Sequence, residues 1–178
     1  MNYDRFLSHL SKRRQPSAIR SLMPLMKLPG MISLAGGLPN SQSFPFESCQ
    51  FTLKDGSIMT MSAQDMQTAL QYSNSEGVPQ FYNWLMDHQR LRHRIDQLNH
   101  EQSVIVTTGS QDALTKCFEM LLNQHNGGEE RDAILVEDPS YSGALAALVP
   151  LNAELISVPL DQYGIIPEQL EQILESRQ

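Results

Sequence analysis

The chain has 178 residues, a formal net charge of −7 at pH 7 and 19% charged residues. This length suits one domain with a core of its own, or one domain plus an arm. The acidic balance argues against nucleic acid as the main partner, and no apolar run is long enough to span a membrane. We therefore expect a globular protein whose partners are neither nucleic acid nor membrane.

Cysteine and histidine usage predicts no metal site. Cys49 and Cys117 are far apart in the sequence and match no metal or redox spacing. We expect both to be buried thiols in a reducing compartment. The five histidines do not cluster, so surface or helix-edge positions are expected for them.

The first 20 residues contain five basic residues and one acidic residue, a net charge of +4 that leaves −11 for the remainder. A basic leader that is poor in acidic residues is typical of an organelle transit peptide, and it equally suits an arm that packs on a partner. Composition leaves both readings open. Short helical patches around Phe6 and over residues 19–26 are interrupted by Pro16 and ended by Pro29-Gly30, so we assign residues 1–30 to an arm.

Residues 31–100 are predicted to hold a pinned glycine loop and two helices. Apolar residues lead into Gly36-Gly37, and two adjacent glycines let the backbone approach another group closely. Residues 45–55 are predicted to be irregular. A short helix follows Ser62, residues 74–77 form a turn, and Pro79 begins a long helix. The apolar stripe of that helix is Phe81, Trp84, Leu85, His88, Leu91, Ile95 and Leu98.

The stretch Val104–Gln111 combines three local signals. Its β-branched start predicts a buried strand, Gly109 permits a tight turn, and Ser110 suits a helix cap. The following residues are amphipathic at helical spacing, with Asp112 and Lys116 paired four apart. A new helix N-terminus presents free N–H groups and a positive dipole end, which favours a phosphate. An ordinary strand-to-helix turn with no ligand remains the alternative.

From residue 103 onwards, strands and helices are predicted to alternate. The strands are residues 133–136 and 154–158, and the helices are residues 140–149, which include Tyr141, and residues 167–175. Alternation with short links predicts an α/β fold with a mostly parallel sheet. Ligands of such sheets bind beyond the strand ends. The turns at Ser110 and Tyr141 are both expected at such ends.

Four motifs occur in order along the chain and together resemble the fold type I pyridoxal-phosphate-dependent aminotransferases. The group most similar is that of the kynurenine/alpha-aminoadipate aminotransferases, which also begin with an arm like residues 2–6. The motifs are Ser33-Leu-Ala-Gly-Gly-Leu-Pro-Asn40, Ala69-Leu-Gln-Tyr-Ser73 with Gly77, Thr107-Thr-Gly-Ser-Gln111, and Asp138-Pro-Ser-Tyr-Ser-Gly143. The resemblance covers essentially the whole chain.

The resemblance implies a site for pyridoxal 5′-phosphate. It assigns Ser110 and Gln111 to the cofactor phosphate, in agreement with the anion site expected from the local chemistry. It lays the ring of Tyr141 over the pyridine ring, where an aromatic face suits a planar electron-poor partner. It brings Tyr72 across a homodimer interface to the other subunit's cofactor phosphate. The alternative for Tyr141 is an ordinary buried helix tyrosine, which we favour less than stacking because the motif and the turn support each other, and the alternative for Tyr72 is a packing residue at a helix end.

The resemblance also implies a substrate site. Arg20 matches the arm arginine that reaches the substrate, where a guanidinium would bind a second carboxylate or stack on an aromatic tail. Gly37 and Leu38 would line the pocket through their backbone, and Tyr72 and Tyr141 would contact the substrate as well. The alternative for Arg20 is a surface arginine. The implied substrates are kynurenine, 2-aminoadipate or a similar amino acid, with a 2-oxo acid such as 2-oxoglutarate as acceptor.

The family's remaining catalytic residues have no match in this sequence. The family uses a Schiff-base lysine in a Ser-x-Ser-Lys context, and Lys12, Lys27, Lys54 and Lys116 all lie outside such a context. We therefore expect no catalytic residue in this chain, because pyridoxal chemistry needs that amine. Residues 31–100 are expected to be the substrate loop and its helices, and residues 101–178 the start of an incomplete large domain.

Two hypotheses about function follow. In the first, the sequence is the N-terminal portion of an aminotransferase, in an incomplete gene product. In the second, it is a natural short form without catalysis that at most pairs with full-length subunits. The resemblance and the basic N-terminus favour the mitochondrial matrix slightly over the cytoplasm.

Overall fold

The computed structural model describes residues 2–32, 34, 37–94, 102–125 and 131–177. These residues form two compact units. The segment Pro16–Val106 forms one, the middle unit, and the residues up to Gln15 together with those from Thr107 onwards form the other, the outer unit.

The elements agree with the predicted α/β class, which is confirmed. The helices are α1 His9–Arg13, α2 Ala18–Ser21, α3 Ala63–Leu70, α4 Pro79–His93, α5 Ser110–Leu121, α6 Ser142–Leu148 and α7 Pro167–Glu175. The strands are β1 Cys49–Thr52, β2 Ile58–Met61, β3 Ala133–Asp138, β4 Glu154–Asp161 and β5 Gly164–Ile165. Short 3-10 helices span Asp4–Phe6, Met23–Lys27, Ser41–Ser43 and Val149–Leu151.

The two predicted helices of the middle unit begin where their start signals lie. The Ser62 hydroxyl accepts a hydrogen bond from the Asp65 N–H at 3.3 Å, and the Asp65 carboxylate accepts one from the Ser62 N–H at 2.9 Å. This reciprocal pair is a capping box, and it satisfies backbone donors at the start of α3. Pro79 occupies the first position of α4, where its missing N–H costs nothing. Of the predicted α4 stripe, Ile95 and Leu98 lie outside the described residues.

Residues 45–55 were predicted to be irregular, and that prediction was wrong. β1 pairs antiparallel with β2, with Cys49 opposite Met61. The turn contains Asp55-Gly56, and Gly56 has a φ of +83°, a conformation that glycine adopts without strain. An Asp-Gly pair between two strands is a strong hairpin signal. The alternation of apolar and polar residues over 49–53 was a second signal, and both signals were overlooked.

The buried strand predicted at residues 104–106 is absent, since no described residue pairs with this segment as a strand. The Val106 N–H donates instead to the Glu76 carbonyl at 2.9 Å. Ile105 is 67% exposed. Strand geometry depends on a neighbouring ladder, so β-branched residues alone do not produce it.

The sheet of the outer unit carries its core. β3 and β4 are parallel, in a register that runs from Ala133 opposite Glu154 to Asp138 opposite Pro159, and β4 pairs antiparallel with β5. Leu148 of α6 and Val158 of β4 are each only 1% exposed. Burial of two such side chains stabilises this unit by about 1.5–3 kcal/mol each.

The leader of the chain is anchored to the end of α5. The buried Ser8 donates from its N–H to the Met120 carbonyl at 2.8 Å and from its hydroxyl to the Glu119 carbonyl at 2.7 Å. The His9 N–H donates to the Asn123 side chain at 2.7 Å. The two bonds from Ser8 satisfy carbonyls that a helix leaves without partners in its last turn.

The cysteines differ from the prediction, because neither is buried. Cys49 is half-buried and Cys117 is exposed. Cys117 lies on the amphipathic helix α5, whose apolar spacing suggested burial. In the described parts of the chain, no helix has both the length and the apolar character needed to cross a membrane.

Asp112 ties the start of α5 to the turn before it. Its carboxylate accepts a hydrogen bond from the Thr108 N–H at 3.0 Å and also pairs with the Lys116 amine one helical turn later. The Lys116 hydrogen bond, followed by the Thr108 N–H, lowers the pKa of Asp112 below its ordinary value of 3.8. A carboxylate in the first turn also interacts favourably with the helix dipole.

We predict that Lys116→Met raises the pKa of Asp112 towards 3.8. Because the pKa is lowered in the folded chain, the charged carboxylate stabilises the fold above the unfolded pKa, and this is lost as the pH falls through the folded value. NMR titration of the Asp112 carboxyl carbon measures the midpoint. Lys12→Met, which removes a lysine of α1, is the matched control and leaves the midpoint unchanged. An unchanged midpoint in Lys116→Met would contradict the pairing.

Candidate functional site

The predicted site residues fall into two groups, one in each unit. Ser110, Gln111 and Tyr141 belong to the outer unit, and Arg20, Gly37, Leu38 and Tyr72 belong to the middle unit. In the outer unit, Gln111 and Tyr141 meet at Gly143, and in the middle unit hydrogen bonds join Arg20 and Pro39 to the segment that carries Tyr72.

The first group begins at the N-terminus of α5. Gly109 is the cap residue, with a φ of +85°, and Ser110 is the first residue of the helix. The prediction that Ser110 is the cap was therefore wrong by one residue, because the glycine turn ends one position earlier. Gly109 carries no side chain that could cap, so the N–H groups of the first turn remain available to an anion.

Charge at this helix start is balanced locally. The Asp112 carboxylate is engaged by Lys116 and the Thr108 N–H, and these bonds lower the pKa of Asp112. The paired lysine offsets its negative charge. The dipole and the N–H groups therefore remain as the attraction for a phosphate.

A side-chain hydrogen bond joins the starts of α5 and α6. Nε2 of Gln111 donates to the Gly143 carbonyl at 2.8 Å. Oε1 of Gln111 is buried, and no described residue donates a hydrogen bond to it. This contact brings Gln111 beside the loop that carries Tyr141.

Tyr141 lies just before α6 rather than within it. It occupies the cap position with extended backbone, whereas the sequence predicted a helix from residue 140. Its side chain is 62% exposed, so most of the ring is open to a ligand. Its Cε1 and Cζ atoms lie 2.6 Å from the position that a Cβ on Gly143 would occupy.

The second group surrounds the segment after α3. Nη1 of Arg20 donates to the Ser73 carbonyl at 2.9 Å. Nε2 of Gln71 donates to the Pro39 carbonyl at 3.1 Å, and Oε1 of the same amide accepts from the Tyr72 N–H at 2.9 Å. One glutamine thus ties the glycine loop to the tyrosine segment.

The exposed side chains of this group are open to ligands. Tyr72 is 64% exposed, and Arg20 is exposed with donors to spare, since a guanidinium carries five. Gly37 has a φ of +62°, and Leu38 is half-buried. The neighbouring Gly36 lies outside the described residues.

Two small cavities adjoin this segment in the middle unit. A cavity of about 310 Å³ is lined by Tyr72, Ser73 and residues of α3, and one of about 300 Å³ is lined by Arg20, Glu76 and their neighbours. In the outer unit, a cavity of about 620 Å³ lies between α1 and the last turn of α5, away from Ser110. Cavity volume alone does not locate the predicted site, because none of the predicted site residues lines the cavity of about 620 Å³.

Sequence reasoning missed the residues that fix the two groups. Gly143, Gln71 and Ser73 occur in the quoted motifs, yet none was given a role. The available signal was their position directly beside Tyr141 or Tyr72. Among the described residues, no group of three or more His, Cys, Asp or Glu side chains is arranged to hold a metal ion.

Comparison with known sequences identifies relatives, although no family model matches the chain. The chain is 42% identical over 181 aligned residues to the mitochondrial kynurenine/alpha-aminoadipate aminotransferase of Rattus norvegicus, and the match covers 98% of the chain and 41% of the relative. It is 35% identical over 164 residues to aminotransferase tdiD of Emericella nidulans, with 90% of the chain and 36% of that protein covered.

Solved structures give the same result for the fold. Aminotransferase Aro8 from Candida albicans matches with a TM-score of 0.78 and 27% identity, covering 98% of the chain and 40% of that structure. The Pyrococcus horikoshii kynurenine aminotransferase, solved in complex with PMP, matches with a TM-score of 0.54 and 31% identity, again over 98% and 40%.

The matches cover nearly all of the chain but less than half of each relative. The chain is covered almost completely, whereas it spans about 41% of the length of the rat relative and 40% of the Candida structure. The chain is therefore a relative of the aminotransferases over nearly its whole length, and the family resemblance predicted from its four motifs is confirmed.

Proposed function

We propose that this sequence supplies the cofactor-phosphate turn and part of the substrate pocket of a pyridoxal-phosphate-dependent aminotransferase. The observation that carries the proposal is the junction of the α5 start with the Tyr141 loop through the Gln111 hydrogen bond. It gathers an anion-binding helix end and an exposed aromatic ring in one unit. The names of the relatives support a transaminase.

The residues present fit the proposed cofactor. The uncapped first turn of α5 offers N–H donors and the Ser110 hydroxyl to a phosphate, and Asp112 does not repel it strongly because Lys116 offsets its charge. Tyr141 offers an exposed ring as a stacking surface. When bound, pyridoxal phosphate acts as an electron sink for charge that develops at the amino acid's α-carbon.

For the substrate, we propose kynurenine, 2-aminoadipate or a similar amino acid, with a 2-oxo acid such as 2-oxoglutarate as acceptor. Arg20 is the recognition residue, since its guanidinium is exposed and keeps donors beyond the one bound to Ser73. We propose that the backbone of Gly37 and Leu38 lines the substrate pocket, as the family resemblance implies. A planar fork of donors suits a side-chain carboxylate, and its face suits an aromatic ring.

We propose a homodimer in which Tyr72 reaches the cofactor phosphate of the other subunit. The support is its 64% exposure at the end of α3. For the compartment we propose the mitochondrial matrix, because the relatives in Rattus norvegicus and Bos taurus are named mitochondrial and the first 20 residues are basic.

The second candidate function is a non-catalytic chain that pairs with full-length subunits. It is favoured by the large apolar side chains that the described chain exposes, including Ile32 at 84% and Leu34 at 98%. Exposed apolar surface of this kind favours association with a partner. None of the four lysines is proposed as the catalytic amine, and that of Lys116 is already paired with Asp112.

We predict that Ser110→Ala weakens binding of pyridoxal phosphate by about tenfold or more, because one charge-assisted hydrogen bond to the phosphate is lost. Titration by absorbance measures the dissociation constant. Pyridoxal, which lacks the phosphate, should bind the variant and the parent equally. Ser157→Ala, an exposed serine on β4, is the matched control. An equal loss of affinity for both ligands would show that Ser110 does not bind the phosphate.

We predict that Arg20→Ala, in an active enzyme that carries this sequence, lowers kcat/KM for acidic and aromatic amino donors more than for small aliphatic ones. The reason is that only the larger donors reach the guanidinium. Arg5→Ala, another exposed arginine of the leader, serves as control. The same proportional loss for every donor would place Arg20 outside the substrate pocket.

We predict that the 178-residue chain, incubated with pyridoxal phosphate and reduced with borohydride, gives only partial labelling spread over its four lysines. The reason is that no lysine lies in the family's Ser-x-Ser-Lys context. Peptide mapping by mass spectrometry measures the labelling. A single stoichiometric adduct accompanied by turnover would contradict both this expectation and the non-catalytic candidate.

A further inference from the structure

Two side chains approach the backbone of Gly143 closely. A Cβ at this residue would lie 2.5 Å from Oε1 of Gln111 and 2.6 Å from Cε1 and Cζ of Tyr141. Both distances are shorter than atoms tolerate without moving. The space that a methyl group would need is thus filled by an amide on one side and an aromatic ring on the other.

The backbone of Gly143 does not itself require glycine. The residue is the second of α6, and its φ lies outside the positive range that other residues avoid. Alanine is the better helix former, so a glycine here is costly unless the missing side chain serves a purpose. The purpose that the geometry indicates is room for the Tyr141 ring and the Gln111 amide.

The Gln111 side chain also contacts Gly143. Its Nε2 donates to the Gly143 carbonyl at 2.8 Å, and its buried Oε1 lies 2.5 Å from the position that a Cβ on Gly143 would occupy. Turning this side chain towards a phosphate would break the hydrogen bond from its Nε2 to the Gly143 carbonyl. Its backbone N–H, in the first turn of α5, remains available.

We propose that Gly143 and the Gln111 side chain are positioning residues for Tyr141. The Gln111 amide fixes the start of α6 against the start of α5, and the absent side chain of Gly143 lets the Tyr141 ring lie against the helix. This deepens the proposed function and rests on it in one respect, since the cofactor is what the exposed part of the ring would stack on. Gln111 then serves the phosphate through its backbone and not through its amide.

The first experiment tests ring position without any cofactor. The chain is labelled with 3-fluorotyrosine, and the Tyr141 signal is assigned with Tyr141→Phe. Gly143→Ala and Gln111→Met should both shift that ¹⁹F signal, because one displaces the ring and the other removes the amide donor. The matched controls are Ser142→Ala, the exposed neighbour in α6, and Gln169→Met, an exposed glutamine of α7. Both should leave the signal unchanged.

The second experiment separates positioning from direct phosphate binding. Gln111→Met should weaken binding of pyridoxal phosphate by about threefold to tenfold, the loss expected when one aromatic contact is misplaced. Inorganic phosphate should bind the variant as it binds the parent. Equal weakening for inorganic phosphate would overturn the proposal, because it would mean that the amide itself holds the anion.

The remaining outcomes are also decisive. A Tyr141 signal that stays in place in both Gly143→Ala and Gln111→Met overturns the proposal whatever the cofactor does. If Gly143→Ala fails to fold, Gln111→Met alone carries the test, since it keeps the volume of the side chain. A shifted signal in a chain that never binds pyridoxal phosphate would support the positioning contact and overturn the proposed function, so the two failures are distinguishable.

Discussion

The hydrogen bond from the Gln111 amide to the Gly143 carbonyl joins the first turns of α5 and α6, and the arrangement of the outer-unit site depends on it. Neither helix start is close to the other in sequence. α6 lies between β3 and β4 in the chain, these two strands pair in parallel, and Leu148 of α6 and Val158 of β4 are both buried. A single amide then sets how the phosphate turn faces the tyrosine loop. A buried hydrogen bond of this kind costs more when broken than it contributes when formed, because its partner is left unsatisfied.

The middle unit is organised by the same kind of contact. Arg20 donates to the Ser73 carbonyl, and Gln71 donates to the Pro39 carbonyl. In each case a long side chain reaches a backbone acceptor that any residue at that position would provide. The identity of the donor therefore matters far more than that of the acceptor, except at Gly143, where the missing Cβ matters as well.

Local chemistry predicted the elements whose signals are local. The capping box at Ser62, the proline at the start of α4 and helix α7 follow from propensity and capping within a few residues. The strand expected at residues 104–106 is absent because strand geometry needs a paired neighbour, and no described residue supplies one. The β1–β2 hairpin was missed although two local signals mark it, the alternation of apolar and polar residues over 49–53 and the Asp55-Gly56 turn.

At the candidate site, too, the sequence predicted local features but not the contacts between distant segments. A helix N-terminus after Gly109 is visible in the sequence, and so is the resemblance that assigns Ser110 and Tyr141. The sequence does not reveal which atoms of a residue would contact a ligand. Gln111 was predicted to bind the phosphate as a whole residue; its side chain donates to the Gly143 carbonyl, and in our proposal its backbone N–H serves the anion.

Electrostatics at the phosphate turn points to directed donors rather than net charge as the source of anion binding. Asp112 and Lys116 cancel each other, and their pairing is exposed and therefore weak in energy. What remains is a fixed array of N–H groups and a helix dipole, whose position is set by the turn at Gly109. Such an array selects for an anion of the right shape, because each donor points at one location. It follows that geometry at Gly109 and Gly143 constrains this site more tightly than any charged residue near it.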